Sequence, residues 1–147
     1  MNMPTAKQET MELDIVSAKA SIFNGAVTKV VVTGKVGELG IYPGHTALIT
    51  ALKPGQLIAT FADGKEEVFY LSGGMLEVQP DTITVLSDSA SRAEDLDEAS
   101  VKEAQERAEK VVADKHGEIE YAKALTELAE AAAQMQAIKK LRDRSHR

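Results

Sequence analysis

Three features of this sequence have the residue types that chemistry requires: its histidines, an acidic run, and a glycine-rich stretch. The histidines are His45, His116 and His146, and none has a second His or Cys at ligand spacing, as a zinc site would need. His45 follows Pro43-Gly44 and has the chemistry of a general base. No serine stands in a nucleophile elbow to use it, and a histidine at a contact surface is the plainer reading. The run Glu94, Asp95, Asp97, Glu98 lacks the glycine-punctuated spacing of a calcium loop. Carboxylates there suit the start of a helix, whose N-terminus carries partial positive charge. In Gly34–Gly44, Gly34-Lys35 has neither the preceding Gly nor the following hydroxyl of a phosphate loop. No helix pattern follows the stretch, as a dinucleotide fingerprint demands, so its glycines are assigned to tight turns. At the other end, Lys139, Lys140, Arg142, Arg144 and Arg147 face only Asp143. Cations help a helix C-terminus, but five exceed what capping needs, which leaves an acidic partner surface as an open alternative to a solvated tail.

The elements that carry these residues change character near residue 88. Before it the period is two: Leu13, Ile15, Val30, Val32, Leu48, Leu57, Val68, Leu76, Val78, Ile83 and Val85 lie in short aliphatic runs. Asp63-Gly64 separates two such runs and predicts a hairpin. Gly73-Gly74 and Pro80-Asp81 predict further turns. Nine of the ten glycines and all four prolines fall in this half, which reads as a sandwich or barrel. After residue 88 the period is helical. Asp95 with Glu98 predicts a capping box, followed by Val101, Ala104, Ala108, Val111 and Val112 on one face. His116-Gly117 predicts the helix end. A second helix follows, with the stripe Tyr121, Leu125, Leu128, Ala132, Met135 and Ile138. The short connection predicts an antiparallel pair. The expected architecture is an N-terminal antiparallel β-sandwich followed by a C-terminal antiparallel two-helix hairpin. Residues 1–10 read as a disordered extension, 11–88 as the sandwich and 89–147 as the hairpin. Alanine-rich faces bury little area each, so the hairpin is expected to be marginal without a surface beneath it.

Composition narrows the function classes. With 147 residues there is one modest core and no room for a deep lidded cleft. Aromatics are 4% and Trp is absent, so aliphatic side chains must build that core. The absence of Cys removes disulfides and thiolate metal sites. A net charge of -6 argues against nucleic acid as the main partner. No apolar run approaches the ~20 residues of a membrane span, and Met1–Thr10 lacks the apolar stretch of a signal peptide. Any membrane association is expected to come through protein partners. No cofactor is expected.

Two strings are specific. Val32-Thr33-Gly34 followed by Gly37-Glu38-Leu39-Gly40-Ile41-Tyr42-Pro43-Gly44-His45 resembles the signature loop of the epsilon subunit of bacterial F-type ATP synthases. Tyr70-Leu71-Ser72-Gly73-Gly74-Met75-Leu76-Glu77-Val78-Gln79-Pro80 resembles that family's second hallmark. Leu96-Asp97-Glu98-Ala99 falls where the family's first helix begins, and the likeness runs over roughly residues 11–142.

The resemblance implies a β-sandwich with a helical hairpin, and a non-catalytic rotor subunit of the central stalk. It implies that the sandwich binds the gamma subunit and rests on the membrane-embedded c-ring, with Glu38 as the c-ring contact and His45 on the gamma-facing surface. One family variant has an acidic residue just before Gly37; this chain has Val36. The resemblance also implies a switch, in which the extended second helix reaches the alpha/beta catalytic head and blocks ATP hydrolysis. Lys139, Lys140, Arg142 and Arg144 would there meet an acidic beta-subunit surface. Some members sense ATP through an Ile/Leu-Asp-x-x-Arg-Ala motif. Here Asp97 is kept, Ser100 and Val101 replace the Arg and Ala, and Arg107 matches a second arginine. Two further arginines of the sensing members align with Glu130 and Gln134, so little ATP binding is expected. The implied location is the cytoplasmic face of the bacterial inner membrane, as a peripheral subunit of a proton-translocating synthase. The rival readings are a structural rotor part with a passive hairpin, and an ATP-sensing hairpin.

Overall fold

In a computed structural model of the chain, residues 9–114 and 117–145 are described. Their strands are β1 (Met11–Ser17), β2 (Ser21–Val27), β3 (Lys29–Gly34), β4 (Gly37–Ile41), β5 (Leu48–Thr60), β6 (Glu66–Leu71), β7 (Gly74–Val78), β8 (Thr82–Ser87) and β9 (Ala90–Arg92). A 3-10 turn (Ala93–Asp95) leads to α1 (Glu98–Asp114) and α2 (Glu118–Ser145). The expected extension at 1–10 lies almost wholly outside the described residues, as do His116 and His146.

The strands hydrogen-bond in the order β2-β1-β8-β7-β5-β3-β4, with β6 joining β5 and β9 joining β6. β5 links the two layers. Its first half, Leu48–Leu52, pairs with β7, and its second half, Gly55–Thr60, pairs with β6. The change of partner falls at Pro54-Gly55. Proline donates no ladder hydrogen bond, and a Cβ on Gly55 would lie 2.5 Å from the Thr33 Cβ. The pairing is antiparallel except between β1 and β8, which run parallel. The expected antiparallel sandwich is formed, with this one parallel pair within it. The parallel pair arises because the chain leaves β1, forms the other strands, and returns to β1's side through β7.

The period-two pattern becomes the core directly. Leu13, Ile15, Val30, Val32, Leu57, Ala59, Phe69, Leu71, Leu76, Val78, Ile83 and Val85 are buried together between the layers. The Asp63-Gly64 signal is the β5–β6 turn, where Lys65 N donates to Asp63 Oδ1 at 2.9 Å and Gly64 has φ +86. The sheet continues past residue 88, the expected boundary, because β9 pairs with β6 through Arg92, Ser91 and Ala90. Arg92 closes this end of the sandwich. Its guanidinium lies over the Phe23 and Phe69 rings and pairs with Glu67.

In the second hallmark string, β6 turns into β7 through Ser72-Gly73-Gly74. Gly74 has φ +118, and a Cβ there would sit 2.0 Å from the Leu86 carbonyl oxygen on β8. Gly74→Ala is therefore expected to destabilise the sandwich by about 2 kcal/mol or more, from left-handed strain and backbone collision together. Thermal or urea unfolding of the purified chain measures this, and an unchanged midpoint would contradict the geometry.

Candidate functional site: the docked hairpin and the β3–β4 tip

The helical hairpin starts at Asp97. This residue caps α1: its carbonyl accepts from Val101 N at 3.0 Å, and Ser100 Oγ donates to its carboxylate at 2.6 Å. The predicted capping box of Asp95 with Glu98 is not formed, because Asp95 belongs to the preceding 3-10 turn. The physical logic is retained two residues later, with Asp97 as the cap and Ser100 at the third helical position. The α1 stripe faces inward as predicted, with Val101 and Ala108 buried. α1 and α2 lie against each other, and Gly117 O accepts from Tyr121 N at 3.0 Å to start α2.

α2 does not use its predicted stripe to pack. Tyr121 and Leu125 are exposed, as are Ile119 and Ala132, and Leu128, Met135 and Ile138 are only half-buried. The buried positions are Ala124, Ala131, Ala133 and Ala137. Ala133 and Ala137, flanked by Leu141, pack on Ile58 of β5, Val68 and Tyr70 of β6, and Ala93. The reason is steric: methyl side chains let the helix axis approach the twisted sheet, whereas a Leu or Met row would hold it off. The underlying sheet face was the missed signal. Leu57-Ile58-Ala59 and Val68-Phe69-Tyr70-Leu71 are apolar on both alternating faces, so these strands require cover on both sides. Gln56, a polar residue of this sheet face, is buried and donates from Nε2 to Ala133 O at 3.0 Å.

Tyr70 and Glu130 carry the electrostatics of this contact. Burial raises the Tyr70 phenol above its usual range, the Glu130 charge raises it further, and a hydrogen bond with Gln134 opposes both. Burial raises the Glu130 carboxyl in turn, helped by the charges of Glu127 and of Asp88 on the β8–β9 turn. Glu130 and Gln134, the positions aligned with arginines of ATP-sensing members, are thus engaged with the sandwich. Asp97 is occupied by Ser100, and Arg107 is exposed and paired with Glu103 at 3.5 Å. Asp97 and Arg107 lie ~15 Å apart along α1.

The cationic end of α2 runs back along the sandwich. Lys140 Nζ lies 3.3 Å from Glu38 Oε1, and Arg144 Nε lies 3.2 Å from Glu66 Oε2. Arg142 bridges the two helices to Glu98 at 2.6 Å. Lys139 points to solvent. Glu38 sits on β4, the edge strand, beside the β3–β4 tip where Val36 is fully exposed and Gly37 has φ +133. A groove of about 260 Å³ runs beneath the tip between Gly34, Leu39, Leu48 and Thr50. His45 lies beyond the other end of β4, in a Tyr42–His45 turn. Its Nδ1 is 2.7 Å from the Thr46 carbonyl. A carbonyl only accepts, so Nδ1 carries the hydrogen. His45 and the Lys140 end therefore belong to separate surfaces, whereas Glu38 and Lys140 are brought together.

A two-layer sandwich carrying a docked helical hairpin is the class these features define. The family model for the ATP synthase delta/epsilon chain β-sandwich domain matches residues 10–93, and that for the delta/epsilon chain long α-helix domain matches residues 94–139. The chain belongs to the delta/epsilon chain family of ATP synthase. Among solved structures, it is similar in fold to a chain of the Euglena gracilis mitochondrial ATP synthase, OSCP/F1/c-ring in rotational state 1. The TM-score there is 0.80 at 19% identity, over 94% of this chain and 91% of that one. It is also similar to a chain of the Tetrahymena thermophila mitochondrial ATP synthase central stalk and c-ring, with TM-score 0.58 at 16% identity, over 90% and 99%.

Two outcomes follow for the docked contact. Ala137→Leu is expected to weaken docking by about 1–3 kcal/mol through overpacking against Ile58 and Tyr70. Amide exchange in α2 would rise while exchange in the sandwich stays slow. The raised Glu130 pKa also fixes the sign of a pH effect. The proton is held more tightly when the hairpin is docked, so the contribution is full below the ordinary glutamate range. It is lost as pH rises through the raised value. Glu130→Gln is expected to strengthen docking at neutral pH and to flatten this slope, as read by α2 amide exchange across the pH range.

Proposed function

We propose that this chain is a non-catalytic rotor subunit of the ATP synthase central stalk, joining the gamma subunit to the c-ring and restraining ATP hydrolysis through extension of its hairpin. The observation that carries this reading is the hairpin contact itself. It is made from alanines and Leu141, the hydrogen bonds of Gln56 with Ala133 O and of Tyr70 with Gln134, and partly exposed ion pairs, while Ile119, Tyr121 and Leu125 of α2 are left uncovered. Each buried alanine contributes little area, so a surface that takes the uncovered stripe can compete. A shift of ~1–3 kcal/mol is enough to move such an equilibrium.

In this reading Glu38 meets a cationic loop of the c-ring and His45 lies toward gamma. The basic end of α2 meets an acidic surface of the alpha/beta head once extended. The chain would sit at the cytoplasmic face of a bacterial inner membrane, held there only by the complex, which translocates protons. Ending the chain at Asp95, or after Ala137, and reconstituting the synthase is expected to raise ATP hydrolysis severalfold while synthesis coupling is largely kept. An unchanged rate would leave a passive hairpin.

Replacing Lys139, Lys140, Arg142 and Arg144 together by Ala removes the basic end, and three of these cations have partners in the docked state. The replacement loosens both states, so its effect on hydrolysis is a difference of two changes. An ATP-sensing hairpin is disfavoured by the Ser100 cap on Asp97 and by the negative Glu130. Calorimetry with the isolated chain is expected to detect no ATP binding below millimolar concentration, and a sub-millimolar dissociation constant would contradict this.

A further inference from the structure

We infer that Glu38 is a carboxylate with two alternative cationic partners, Lys140 of its own docked hairpin and a cation on the surface that receives the β3–β4 tip, so that tip engagement and hairpin docking oppose each other. This rests on the proposed role of the tip. Residues 38 and 140 are 102 positions apart in the chain, yet Lys140 Nζ reaches Glu38 Oε1 at 3.3 Å. This pair and Arg144–Glu66 both join α2 to the sandwich. Arg142–Glu98 lies within the hairpin and travels with it.

The geometry makes Glu38 the shared group. Its side chain is 61% exposed while that of Lys140 is 26% exposed, so the carboxylate is open to a second cation even as the lysine holds it. Glu38 stands on the edge strand, two residues from the fully exposed Val36 at the β3–β4 tip. An arriving cation would be placed beside the Lys140 ammonium, and two like charges on one carboxylate repel. The cation therefore gains its full contact only when Lys140 withdraws, and withdrawal removes an ionic tie of α2. By thermodynamic reciprocity, the docked hairpin weakens tip engagement by the same factor. An exposed pair of this kind supports a factor of about two to five, falling with added salt. It biases the hairpin without commanding it.

The test begins with the full isolated chain. It has no native Cys, so spin labels at Lys65→Cys and Asp143→Cys report the docked fraction. Glu38→Gln and Lys140→Gln are each expected to lower the ratio of docked to released chains about two- to five-fold. The double variant should fall no further than either single variant. Additive losses, or none, overturn the pair.

The second stage adds detergent-solubilised c-ring. Ring affinity is expected to fall with Glu38→Gln and to rise about two- to five-fold with Lys140→Gln, while ring addition lowers the docked fraction of the unsubstituted chain. Ring binding that ignores Glu38→Gln overturns the tip assignment and the antagonism with it. Binding that responds to Glu38→Gln but ignores Lys140→Gln, or weakens with it, overturns the antagonism alone.

Discussion

The arrangement depends on how an alanine face meets a sheet that is apolar on both sides. β5 and β6 bury Leu57, Ala59, Phe69 and Leu71 inward, and present Ile58, Val68 and Tyr70 outward. Something must cover that outer face, and Ala133 and Ala137 do so at close range. Small side chains give a well-fitted contact with a shallow energy, because fit depends on shape while stabilisation scales with area. Gln56 fits the same pattern. It is bonded to Ala133 O when covered and finds water when uncovered, so release strands no buried polar group. The sheet face is compatible with both conditions, which an all-leucine contact would not be.

Electrostatics act at the margin of this contact, in opposing senses. Lys140 and Arg144 draw the end of α2 onto Glu38 and Glu66. Glu130 works against docking at neutral pH, because it is carried toward Tyr70, Asp88 and a drier environment. A tight clamp would omit Glu130, and a passive linker would not need Lys140. Their coexistence on one helix fits a contact of intermediate strength.

The sandwich was legible in the sequence because its signals are local. Alternation of Val, Ile and Leu, and turn pairs such as Asp63-Gly64, specify strands without knowledge of neighbours. The parallel β1–β8 pair and the two-layer path of β5 were not legible, since they are set by which strands meet after long returns of the chain. The helices were found by period, but the face of α2 was misassigned. Counting large apolar residues favours Tyr121, Leu125 and Leu128, whereas the sheet selected alanines for closeness. The better clue lay elsewhere in the chain, in the unbroken apolar runs Leu57-Ile58-Ala59 and Val68–Leu71. For the candidate site, Glu38 and the basic end were each identified as contact groups, but nothing in their spacing could reveal that they touch.

β5 has a mechanical consequence. One continuous strand is hydrogen-bonded to β7 in one layer and to β6 in the other. Sliding the layers past each other would shear ladders on the same strand rather than peel them bond by bond, so the sandwich resists twist as a single stiff body. Compliance is thereby concentrated between the sheet and α2, where small side chains, a few hydrogen bonds and surface charges hold. A torque passing through the sandwich would be delivered almost undiminished, while the hairpin is left free to respond on its own terms.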